Sequence, residues 1–151
     1  DALPIGKMKW LFITALFVLG FGFPASAQMR AGQPDIVKDP ICFQVRNNAD
    51  FTMYGNFGTD YYTDPSGAVA RHRSNFRLEA ADSINEEGYP TDRAEFCSYG
   101  PFFPGRKLEL QIRTLFPVFS CKTRIDQGEI VLRADRKPSD NGYDYYADCY
   151  E

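Results

Sequence analysis

Arg71, Arg73 and Arg77 fall at alternate positions of the segment ARHRSNFRL (70–78), and Lys122 and Arg124 repeat that spacing in SCKTR. In an extended chain, residues two apart share a face. This spacing therefore makes a basic strand face, and Lys122 and Arg124 join it if their strand is a neighbour. A guanidinium fork matches phosphate, sulfate and carboxylate geometry. The chemistry is anion recognition, with an envelope glycan or a lipid headgroup as ligand. The plainer reading is an exposed face whose arginines pair with the surplus of Asp and Glu.

Catalytic chemistry has fewer footholds. His72 is the only histidine, and it sits between Arg71 and Arg73. Their charges oppose the imidazolium that a general base must become. No G-x-S-x-G elbow, phosphate loop or G-x-G-x-x-G is present. A carboxylate pair for hydrolysis is left open, because nothing singles out two acids among so many. Asp140, Asp144 and Asp148 recur every four residues but lack the Gly and terminal Glu of a calcium loop, so they read as a solvated acidic tail. No catalytic residue, metal or cofactor is expected.

Cys42, Cys97, Cys121 and Cys149 are the four cysteines. An even number in an exported chain argues for two disulfides. With no C-x2-C pair and a single histidine, zinc is disfavoured. Three pairings exist. Cys97–Cys121 with Cys42–Cys149 is the expected one, the first clipping neighbouring segments and the second joining the ends of the domain.

Two loops combine aromatic residues with proline: YGPFFPG (99–105), carrying Phe102 and Phe103, and LFPVF (115–119), carrying Phe116 and Phe119. They flank the segment 107–114 and so belong at its opposite ends. Apolar loops either plug the open end of a fold or contact a partner. The plug is the favoured reading.

The segments that position these residues are short and alternating. Lys107 to Leu115 is the clearest, with Leu108, Leu110 and Ile112 inward and Glu109, Gln111 and Arg113 outward. Residues 41–46, 51–58, 70–78, 94–99, 119–124, 129–134 and 145–150 carry similar signals, with turn chemistry between them. Asn47-Asn48-Ala49-Asp50 suggests that the first two form a hairpin. No sustained helical period follows residue 27. The expected fold is all-β, a single antiparallel sandwich or small barrel of six to eight strands.

The N-terminus reads differently. Lys7 and Lys9 precede an apolar run from Leu11 to Phe23, then Pro24 and Ala25-Ser26-Ala27. That is the grammar of a helical, cleavable signal peptide starting at Met8, with residues 1–7 upstream of it. The run is shorter than the ~20 residues that span a bilayer, so no stable membrane span is expected after processing. Residues 28–40 form an extended lead-in, and 41–151 the domain. The chain of 151 residues has 17 basic and 20 acidic side chains. Processing removes Lys7, Lys9 and Asp1, leaving 15 basic and 19 acidic. An acidic balance disfavours nucleic acid as a partner.

The stretches CFQVRNNADFTMYGNFGTDYY, RHRSNFRL, FCSYGPFFPGRKLEL and FSCKTR resemble small exported bacterial proteins of uncharacterised function. The likeness covers most of residues 41–125 and transfers no functional residue. Together these readings imply a periplasmic or secreted, non-enzymatic binding or accessory module. Its partner is an envelope protein or an anionic ligand. A carboxylate-based hydrolase is the remaining alternative.

Overall fold

The computed structural model describes residues 36–151. The expected signal peptide at 1–27 and most of the expected lead-in lie outside the described residues. Ten strands follow in order: β1 (Ile41–Asn47), β2 (Met53–Gly58), β3 (Tyr62–Thr63), β4 (Val69–Ala70), β5 (Arg73–Leu78), β6 (Arg93–Ser98), β7 (Lys107–Arg113), β8 (Pro117–Arg124), β9 (Ile130–Arg136) and β10 (Tyr143–Ala147). Eight of them build two four-stranded sheets, β10-β9-β1-β6 and β5-β2-β7-β8. β3 and β4 form a small separate ribbon.

Alternation in the sequence becomes burial in the fold. On β7, Leu108, Leu110 and Ile112 are buried while their neighbours are half-exposed. Phe43 and Val45 of β1 face them from the other sheet. The rings of Phe43 and Phe57 meet edge-on across the sandwich, 4.9 Å between centroids. Removing one such large side chain from water is worth about 1.5–3 kcal/mol, which makes this inter-sheet layer the main source of cohesion.

The 47–50 turn does not close a hairpin. β1 and β2 belong to different sheets, and the turn arches between them. Asn47 is fully buried there. Its Nδ2 donates to the carbonyls of Phe51 and Glu79, each at 2.7 Å, and its Oδ1 accepts from the Ala49 N–H at 2.9 Å. The arch is therefore tied to the end of β5. The sheets are antiparallel as expected, apart from the pairing of β1 with β9, which is parallel.

Both disulfides form, with pairings other than those expected from sequence. The bridges are Cys42–Cys97 and Cys121–Cys149. β1 and β6 are antiparallel neighbours whose register sets Cys42 directly opposite Cys97, with Cα atoms 4.0 Å apart. The Cys97–Cys121 pairing fails because β6 and β8 belong to different sheets. Cys149 lies just past β10, beside β8. The backbone N–H of Arg124 donates to the Tyr150 carbonyl at 2.9 Å, and Cys121–Cys149 locks the same edge. In the loop-closure account each bridge contributes about 4 kcal/mol.

Candidate functional site

The inner face of sheet β5-β2-β7-β8 belongs to the core; its outer face carries the chemistry. The strand registers set that face in rows. Arg77, Tyr54 and Arg113 form one, and Asn75, Asn56, Gln111 and Ser120 the next. Arg73, Gly58, Glu109 and Lys122 follow, and Lys107 stands opposite Arg124 beyond them. Basic rows thus bracket a row of amides and a hydroxyl.

The structure brings Arg73, Arg77, Lys122 and Arg124 onto one face, but not side by side. β5 and β8 are the two edges of the sheet, with β2 and β7 between them. At about 4.8 Å per strand the two basic edges stand roughly 14 Å apart. Two central-strand cations, Lys107 and Arg113, fill the gap. Their outward position was readable from the alternation of residues 107–113. Their membership of the basic face was not, because strand order is a tertiary property.

Arg71 precedes β5 and behaves differently. Its guanidinium occupies the space that a Cβ at Gly58 would take. It donates to Glu109 Oε2 at 2.8 Å and stacks over the Tyr61 ring, 5.0 Å from the centroid. Glu109 also accepts from Gln111 and Ser120. Burial alone would raise the Glu109 carboxyl, but the bonds from Arg71, Gln111 and Ser120 outweigh it and hold it below its ordinary value.

Other cations are partly engaged. Arg77 pairs with Glu79 at 3.1 Å and Arg124 with Asp126 at 2.9 Å. Hydrogen bonds from Arg124, then from Gln127, lower the Asp126 carboxyl to about 2. The Lys122 ammonium sits 4.4 Å from the Phe103 ring centroid. Arg73, Lys107 and Arg113 have no acidic partner among the described residues. The Nε of Arg113 is buried with no hydrogen-bond partner. Seven cations (Arg71, Arg73, Arg77, Lys107, Arg113, Lys122, Arg124) thus stand against three acids (Glu79, Glu109, Asp126), on a chain whose net charge is -3.

The aromatic loops differ in exposure. Phe102 is buried and plugs the end of the sandwich where β7 begins, and Phe103 is half-buried. Phe119 is half-buried on the inner side, opposite Ile112. Phe116, however, is 75% exposed, and Leu115 beside it is 87% exposed.

Two clefts open near this sheet. One, of about 140 Å³, lies between the sheets at the end of Phe57 and Ser74 and is edged by His72, whose Nε2 meets the Tyr62 hydroxyl at 2.9 Å. The other, of about 400 Å³, lies between Tyr54, Arg113, Phe51 and Tyr145. Neither of these clefts is lined by a carboxylate. Compared with known protein families, curated proteins and solved structures, the chain matches none.

Proposed function

We propose that this protein is an exported, non-enzymatic binding module that holds an extended anionic ligand on the outer face of sheet β5-β2-β7-β8. The observation that carries this reading is charge segregation: an acidic chain concentrates cations on one sheet face and, among the described residues, leaves Arg73, Lys107 and Arg113 without acidic partners. Unpaired cations at this density repel one another, a cost that a bound polyanion relieves.

The ligand class follows from spacing. Arg77 and Arg113 are two strands apart, roughly 10 Å, and Arg73 lies roughly 13 Å along β5 from Arg77. These distances do not converge on one small anion. They suit a chain or surface with repeated charges, whose polar groups the amide row meets. Two disulfides accord with an oxidising compartment outside the cytoplasm, and a periplasmic or secreted location follows from the signal grammar of residues 7–27.

The test is calorimetric titration with dextran sulfate, a soluble polyanion, over a range of salt concentrations. The proposal expects saturable binding that weakens as salt rises. Absence of binding at low salt sinks it.

A further inference from the structure

The β7–β8 hairpin ends in a feature that the cationic face alone does not explain. Thr114, Leu115 and Phe116 form its tip, closed by the Thr114 N–H donating to the Phe116 carbonyl at 3.0 Å. Leu115 and Phe116 point into solvent, and Val118 behind them is 41% exposed. The register shifts between Ile112 and Arg113, leaving Val118 outside the pairing. A bulge of this kind twists a hairpin and redirects its side chains. Large apolar side chains at a closed tip contribute nothing to the core, and a cluster of them on a surface marks a contact site.

The immediate neighbours of the tip are charged. Arg113 ends β7 one residue before it, and Arg77 shares the row of Arg113 across Tyr54. Tyr54 is itself half-exposed. Apolar residues at the extremity, an amphipathic tyrosine behind them and two guanidinium groups at that level form a graded sequence. It matches the gradient of a bilayer interface, where acyl chains give way to headgroup dipoles and then to anionic phosphates.

We infer that the 114–118 hairpin seats this protein on an anionic lipid surface, with Leu115 and Phe116 in the acyl boundary and Arg77 and Arg113 at phosphate level. This rests on the anion-binding reading and names the surface that supplies the anions. The 79–92 connection at the same end carries Glu86 and Glu87, but it leaves from β5, the opposite edge of the sheet.

A single-tryptophan chain tests the geometry. Trp10, the only tryptophan, lies in the segment expected to be cleaved, so Phe116→Trp in the processed chain makes the tip the sole emitter and leaves no apolar segment 11–23 to enter a bilayer by itself. With vesicles of phosphatidylglycerol and phosphatidylcholine the emission shifts to the blue and is quenched by lipids brominated on the acyl chain. With phosphatidylcholine alone it does neither. Adding Arg77→Gln and Arg113→Gln weakens partitioning by about 25-fold, at roughly fivefold per cation. Leu115→Ser with Phe116→Ser in the parent chain abolishes co-sedimentation with the anionic vesicles and leaves dextran sulfate binding intact. Unshifted, unquenched emission with anionic vesicles overturns the inference. If dextran sulfate binding survives that result, the tip contacts a soluble or proteinaceous partner and the anion-binding function stands. If both are lost, both readings fall.

Discussion

The guanidinium of Arg71 lies over Gly58 and donates to the Glu109 carboxylate at 2.8 Å. Both groups are largely shielded from solvent. Glu109 is the one acid within the rows of the cationic face, so this contact sets how much charge the face offers. Glycine at position 58 leaves room for it, because a methyl group there collides with the guanidinium.

Glu109→Gln keeps a hydrogen-bonding side chain and removes the negative charge. The expected outcome is tighter dextran sulfate binding, by about threefold to fivefold at low salt, from one charge at a partly screened surface. Titration calorimetry reads this directly. Weaker binding by the variant would mean that Arg71 has to be held by Glu109 in order to act.

Asn47→Ala tests the arch between the sheets. It strands the carbonyls of Phe51 and Glu79 and the N–H of Ala49, which Asn47 now satisfies. The expected loss is about 2–4 kcal/mol in urea unfolding, at roughly 1 kcal/mol per bond plus the cost of unpaired buried groups. A loss below measurement error would show that water replaces the side chain without penalty.

The bridges make a covalent prediction. Peptide mapping of non-reduced protein yields Cys42 linked to Cys97 and Cys121 linked to Cys149. Cys121→Ala with Cys149→Ala costs about 3–4 kcal/mol in the loop-closure account, read as a lower denaturant midpoint. Recovery of a Cys97–Cys121 peptide from native material would contradict the strand order itself.

Acid should loosen the fold. Glu79, Asp92, Glu109 and Asp126 are all held below their ordinary values in the folded chain. For Asp92 the chief cause is the hydrogen bond from Arg93. A depressed carboxyl binds fewer protons when folded than when unfolded. Its contribution is complete above the ordinary values of 4.5 for Glu and 3.8 for Asp, and is lost as pH falls toward about 2, where Asp126 titrates. Thermal melts followed by circular dichroism should show a steady fall in midpoint from pH 5 to pH 2.5. A flat profile across that window would mean these contacts do not stabilise the fold.

The core and most strands were legible in the sequence because they depend on local alternation. Leu108, Leu110 and Ile112 announce their buried face without reference to any other segment, and β7 covers the expected segment 107–115 except its last two residues, which fall in the hairpin tip. Asn47 shows the limit of local reading. Its turn chemistry is plain, but an asparagine turn reads alike whether it closes a hairpin or arches between sheets. Strand order, parallel pairing and disulfide partners are long-range properties and leave no mark on spacing. Hence spacing does not yield the cysteine pairing, and it leaves open whether Lys122 and Arg124 adjoin Arg73 and Arg77, from which two strands separate them. Phe102 and Phe116 stand in similar proline-aromatic contexts and end in opposite environments, since only Phe102 has a core to enter.

The most direct test separates the face from net charge. Arg73→Glu with Arg113→Glu reverses two charges on the proposed surface. Arg133→Glu with Arg136→Glu reverses two on β9, in the other sheet. Both variants carry the same net charge. The account predicts that the first pair weakens dextran sulfate binding by about tenfold or more and the second by less than about threefold. Equal weakening by the two pairs would show that the protein senses polyanions only through its overall charge, and the proposed binding face would be withdrawn.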